Sequence, residues 1–181
     1  GVAIPAAHIP GVLTAAAIVV AFGTIYAAHA LYGFVGPAAA FLLLGATGLL
    51  AMLGALRHGP ALAGLGLAAS YLTPALVSSE APNYWPLVLF LAVVAAAAFA
   101  LARARRWLWL ALVAVAGAVI WGVLILSAAA LPESHWPAIV HILTQLALAA
   151  VFMGLEPHLG TQDAEARPDR IGTVALGALT L

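Results

Sequence analysis

The sequence predicts an all-α fold, a polytopic bundle of transmembrane helices, and three observations predict it. Of the 181 residues, 66% are hydrophobic and only 7% are charged, against about 25% charged in an ordinary soluble domain. A soluble domain of this size leaves much of its chain facing water and has too little interior for so much apolar side chain. The apolar residues also fall into runs near the ~20 residues that a helix needs to cross hydrocarbon. Finally, runs such as 87–102 are apolar on every face, whereas the strands of a membrane barrel alternate apolar and polar over about ten residues. A continuous helix satisfies its own backbone hydrogen bonds, which a lipid-exposed segment must do.

Six full spans are expected, over 11–32, 36–56, 60–78, 86–102, 107–130 and 136–155. Breakers separate them: Gly33 to Pro37, Arg57-His58-Gly59-Pro60, Ser78 to Pro86, Arg103 to Arg106, and Leu131 to Ser134. A polar stretch from Pro157 to Arg170 carries Asp163, Glu165, Arg167, Asp169 and Arg170 and reads as a solvated loop. A seventh span starts at Ile171 and is truncated. With Gly1 in place of Met at the other end, 1–181 reads as one transmembrane region excerpted from a longer polytopic protein.

Arginine sets the expected orientation. Arg57, the cluster Arg103, Arg105 and Arg106, and the pair Arg167 and Arg170 all fall in alternate loops. The positive-inside rule makes those loops cytoplasmic. Trp107 and Trp109 then sit at the inner headgroup level, and Tyr84, Trp85 and Trp136 at the outer one, where amphipathic rings are favoured. Trp121 lies deeper and is expected to face lipid. The Arg103–Arg106 cluster is expected to touch anionic headgroups, at about 1 kcal/mol per Arg.

Small residues mark the expected packing faces, because helices in lipid associate through close dispersion contact rather than a hydrophobic drive. Ala114, Ala118 and Gly122 recur every four residues on span five, and Gly64 and Ala68 do so on span three. Span three also carries Pro74, which lacks the N–H that would bond the Ser70 carbonyl. A kink or partly unwound turn is expected there, with the Ser70 or Thr73 hydroxyl offsetting part of the loss.

Polar groups inside a membrane are costly and point to roles. His141, Thr144 and Gln145 share one face of span six at i, i+3 and i+4. With Ser70 and Thr73 they are the candidate site of a transporter or channel. A second grouping, His29, His135, His141, Glu80 and Glu133, lies toward the outer face; imidazole plus carboxylate suits zinc or proton transfer. The bland alternative is that His141 and Gln145 bond a neighbouring helix while the others sit in wet loops. The spacing contains no H-E-x-x-H, no P-loop, no G-x-S-x-G and no G-x-G-x-x-G. No catalytic, metal-binding or cofactor-binding residue is assigned, and no cofactor is expected.

The chain has no cysteine, so it builds no disulfide, thiolate nucleophile or zinc-thiolate site. Its six basic residues balance six acidic ones, which leaves no basic surface for nucleic acid. The expected partners are membrane lipids and other helices of the same or a partner chain.

Several stretches together resemble a known family. They are Ile25-Tyr-Ala-Ala-His-Ala-Leu-Tyr-Gly33, Leu56-Arg57-His58-Gly59, the run from Leu65 through Tyr71-Leu72-Thr73-Pro74 to Ser79, Pro82-Asn83, and Leu101 to Trp107 followed by Trp121. This order, over about 5–130, is similar to a bacterial domain-of-unknown-function family described only as "predicted membrane protein". The family often has Gly or Phe where this chain has Ser70 and Tyr71. The resemblance implies a long protein with many consecutive spans, and it implies no reaction. The leading expectation is a non-enzymatic membrane module, either a scaffold or a component of a transport or envelope system. A transporter and a membrane-embedded enzyme are its rivals.

Overall fold

The computed structural model describes residues 9–77, 84–128 and 135–154. Within them the regular structure is helical: α1 (Ile9–Ala30), α2 (Pro37–His58), α3 (Pro60–Leu76), α4 (Tyr84–Arg105), α5 (Leu108–Ala128) and α6 (Trp136–Gly154). Four of these are long and apolar enough to cross a bilayer, namely α1, α2, α4 and Leu108–Ser127 of α5. Helix α3, with 17 residues, and Trp136–Phe152 of α6 are apolar but shorter. The expected seventh span and the polar stretch before it lie outside the described residues, as do all six acidic residues.

The helices group into two compact units, Gly1–Asn83 and Tyr84–Leu181. In the first, α2 and α3 form a tight hairpin and α1 packs against both. The hairpin follows from local chemistry. Gly59 adopts φ 98°, a region that side chains avoid, and its N–H caps the Ala55 carbonyl at 3.0 Å. Pro60 then opens α3, where its missing N–H costs nothing.

Two glycines bring α2 and α3 close together. A Cβ added at Gly66 would lie 2.6 Å from both the Gly48 carbonyl oxygen and the Met52 nitrogen. One added at Gly48 would lie 2.4 Å from Ser70 Oγ. Backbone meets backbone here, so the hairpin is held by the contact that small residues permit in lipid. The expected face was a different one. Gly64 is only half-buried and Ala68 is exposed, while Leu62, Ala63, Gly66, Leu67, Ser70 and Thr73 line the contact. A four-residue spacing of small residues does not say which helix face has a neighbour.

Of the kink or partly unwound turn expected at Pro74, the unwound turn does not form, because helix α3 runs on through Pro74 to Leu76. Pro74 sits in the last turn, where few bonds remain to be lost. The hydroxyls of Ser70 and Thr73 donate to Gly66 O and Ala69 O, both at 2.8 Å. Neither serves the Ser70 carbonyl that Pro74 leaves without its usual donor.

The second unit is a three-helix bundle in which α4 contacts both α5 and α6, and α5 contacts α6. On α5 the expected small face holds: Ala114, Ala118 and Gly122 are all buried, and Ala111 extends the face by a turn. Its other faces present Leu112, Val113, Val119, Ile120, Val123 and Leu124 outward. Helix α4 ends in a helix cap in which Trp107 N–H donates to Ala102 O (2.9 Å) and Arg106 N–H to Arg103 O (3.3 Å). Arg106 occupies the left-handed position, φ 57°, that glycine usually fills.

Candidate functional site

Helix α6 buries a stripe made of Ala138, His141, Gln145 and Ala149, at intervals of three and four residues. The opposite face exposes Ile139, Ile142, Leu143 and Val151. Helical periodicity alone therefore turns the two strongest polar side chains of this segment inward. Both are 1% exposed. Thr144, between the two faces, is half-buried.

Each of the two side chains reaches a different helix. His141 Nε2 lies 2.9 Å from the carbonyl oxygen of Ala118 on α5. A carbonyl only accepts, so Nε2 carries the hydrogen of this bond and fixes the tautomer. The small residues Ala118 and Gly122 let the imidazole lie against the α5 backbone; Cδ2 of the ring is 3.5 Å from where a Gly122 Cβ would be. Gln145 Nε2 donates to Leu91 O on α4 over 3.5 Å, the outer limit of a hydrogen bond.

Each is also half-satisfied. His141 Nδ1 and Gln145 Oε1 are buried with no hydrogen-bond partner among the described residues. With the proton on Nε2, the neutral ring leaves Nδ1 as an acceptor, and the amide oxygen is an acceptor too. A buried polar atom left unpaired typically costs about 1–3 kcal/mol. The pair therefore offers two lone-pair acceptors, side by side on one helix face, in an apolar setting.

Of the remaining candidates, His29, Ser70 and Thr73 make local hydrogen bonds. His29, half-buried at the end of α1, donates from Nδ1 to Val35 O at 2.8 Å and closes the turn in which Gly33 has φ 65°. Ser70 and Thr73, fully buried in the first unit, spend their hydroxyls on their own helix. His135 is half-buried just ahead of α6. Glu80 and Glu133 lie outside the described residues. Among the described residues no group of three or more His, Asp or Glu side chains is placed to hold a metal ion.

Sequence reasoning missed one cross-helix bond. Arg103, read as a headgroup anchor, donates from its guanidinium to the Phe152 carbonyl and so ties the last turn of α4 to the last turn of α6. Phe99 and Phe152 pack beside it, ring centroids 6.1 Å apart. Arg105 and Arg106 stay exposed, and the Arg105 guanidinium stands 5.4 Å from the centre of the Trp107 ring. An Arg near a helix C-terminus signals some carbonyl bond, but nothing in the sequence points to a carbonyl 49 residues away.

The family described as "Predicted membrane protein (DUF2339)" matches residues 4–181 of this chain. The chain belongs to this family. Membership extends the recognised region past 130, through α6 and the polar stretch after it, to the end of the sequence. No curated protein and no solved structure matches the chain. Family membership makes it a membrane protein with several candidate spans, and it brings no reaction, ligand or catalytic residue with it.

Proposed function

We propose that the chain is a six-span module of a bacterial inner-membrane protein, multi-pass and non-enzymatic, that serves as a scaffold or as a component of a transport or envelope system. The observation that carries this reading is the division of helices α2 to α6 into two faces. Small residues meet other helices, as at Gly48 and Gly66 and at Ala114, Ala118 and Gly122, while large aliphatic side chains such as Leu42, Leu89, Ile120 and Leu143 point outward. In water such outward faces would be ruinous; in hydrocarbon they cost nothing. Its partners are lipids and further helices, not nucleic acid.

Topology tests the reading directly, because residues 1–181 contain no cysteine and any outside them can be replaced by Ser. Single replacements Gly36→Cys, His58→Cys, Ser79→Cys, Arg106→Cys and Glu133→Cys are placed in the full-length protein in intact cells. A membrane-impermeant maleimide should label Gly36→Cys, Ser79→Cys and Glu133→Cys, and should reach the two Arg-side positions only after lysis. Labelling of adjacent loops from the same side would remove the span between them and defeat the six-span scheme.

A second reading, a transporter or channel with its site at His141, Thr144 and Gln145, is supported by the two unpartnered acceptors. Its other half, at Ser70 and Thr73, has less support, since both hydroxyls are already engaged within α3. The third class, an enzyme using an outer group of His29, His135, Glu80 and Glu133, gains no support from the described residues, since Glu80 and Glu133 lie outside them.

A further inference from the structure

We propose that His141 and Gln145 form a binding site for one neutral hydrogen-bond donor, a water molecule held between α4, α5 and α6. Three observations support it. Both side chains are 1% exposed. Each is anchored at one end by a backbone carbonyl of a different helix, Ala118 or Leu91, which limits how far the other end can turn to find a partner. The atoms left over, His141 Nδ1 and Gln145 Oε1, are both acceptors once Nε2 is the protonated ring nitrogen.

The ligand class follows from what the site lacks. Two acceptors without a donor repel an anion. A metal ion needs more ligands than two, and no further His, Asp or Glu among the described residues completes a set. Among the described residues no carboxylate stands at the site to balance a cation. A neutral molecule with two donors answers both acceptors, and water is the smallest. Residues at i and i+4 have Cβ atoms about 5–6 Å apart. A water with two bonds of about 2.8 Å at its near-tetrahedral angle spans acceptors about 4.5 Å apart, a gap that side chains rising from such a pair of Cβ atoms can reach. Buried waters of this kind commonly satisfy polar groups that the protein leaves unpaired.

The inference rests on α6 lying in the bilayer and is independent of whether the module is a scaffold or a transporter. The test is solid-state NMR of the full-length protein in lipid nanodiscs, labelled with ¹⁵N-histidine. The His141 signals are assigned by their loss in His141→Gln. The expected result is a protonated Nε2 and an unprotonated Nδ1 shifted as a hydrogen-bond acceptor, with magnetisation passing from water protons to Nδ1. In Gln145→Leu that transfer should weaken or vanish while the Nε2 signal stays in place. An Nδ1 resonance of a bare lone pair would overturn the proposal. So would an acceptor-type resonance with no transfer from water, since the donor would then belong to another protein segment. The wild-type spectrum decides this even where a variant fails to fold. Amide exchange of α6 in D₂O, recorded on the same sample, separates the two levels. Protected amides with a bare Nδ1 defeat the water site alone, whereas freely exchanging amides defeat the membrane placement on which it rests.

Discussion

At the scale of single residues, the glycines divide by what surrounds them. A Cβ at Gly66 would meet backbone atoms of the neighbouring helix at 2.6 Å, and one at Gly48 would meet the buried Ser70 Oγ at 2.4 Å with Ser70 N and Gly66 O at 3.0 and 3.1 Å. Gly66→Ala and Gly48→Ala should each cost about 2–3 kcal/mol, because helix backbones must separate to admit the methyl group. A Cβ at Gly54 meets only the Leu62 Cδ2 methyl, at 2.9 Å, which can swing aside. One at Gly122 makes ordinary contact at 3.5 Å or more. Gly122→Ala should therefore be neutral, or stabilising by up to about 1 kcal/mol through helix propensity. Equilibrium unfolding in mixed detergent micelles would rank the four; equal costs for Gly66→Ala and Gly122→Ala would contradict the close-approach account. Ser70 and Thr73 give a second residue-scale prediction. Their hydroxyls bond carbonyls of the same helix, a bond that contributes little to stability. Ser70→Ala and Thr73→Val should change stability by less than about 1 kcal/mol in the same titration, and a larger loss would restore the case for an interhelical or ligand role.

At the scale of elements, helix ends carry the information. Helix α1 buries no residue of its own, so its place in the first unit depends on surface contact with α2 and α3 rather than on inserted side chains. Helix α4 ends on Arg106 in a left-handed conformation, which costs roughly 1–2 kcal/mol for a residue with a Cβ. Arg106→Gly should recover about 1 kcal/mol of stability, read as a raised unfolding midpoint in detergent. The same variant should weaken binding to anionic vesicles, since an exposed cation is lost from the cluster beside Trp107. No gain in stability would mean that the Arg106 side chain makes a compensating contact. Arg103 acts differently from its neighbours: its bond to the Phe152 carbonyl joins two helix C-termini, where a cation also offsets the partial negative charge of unpaired carbonyls.

At the scale of the whole molecule, span length is the open quantity that bilayer thickness reads. Helix α3 has 17 residues, roughly 25 Å at the helical rise, against about 30 Å of hydrocarbon in a typical bilayer. A short span is accommodated by thinning the lipid around it, at a modest cost per ångström. The protein should therefore show its highest unfolding midpoint in nanodiscs of shorter-chain lipid and lose stability as the acyl chains lengthen. A midpoint that rises with bilayer thickness would place α3 outside the set of simple spans. The 22-residue helices α1, α2 and α4 have no such preference for thin lipid.

The amino-acid sequence by itself determined the solvent and the class of fold. Apolar composition does not depend on which helix touches which, so the helical, lipid-suited character of 9–30, 37–58, 84–105 and 108–128 was legible from residue types and breakers alone. That Ala114, Ala118 and Gly122 share one face of α5, and His141 and Gln145 one face of α6, was legible as well, because a shared face is a property of one helix and its period; that these faces are buried was not. Tertiary structure decided everything that needs a second helix. It chose Gly66 over Gly64 as the contact on α3, sent Arg103 to the Phe152 carbonyl, and left one acceptor on each of His141 and Gln145 without a donor. In lipid all helix faces are nearly equal in hydrophobicity, so the pattern that marks a core in water is missing. What selects the inward face is fit between two surfaces, and no single segment encodes that.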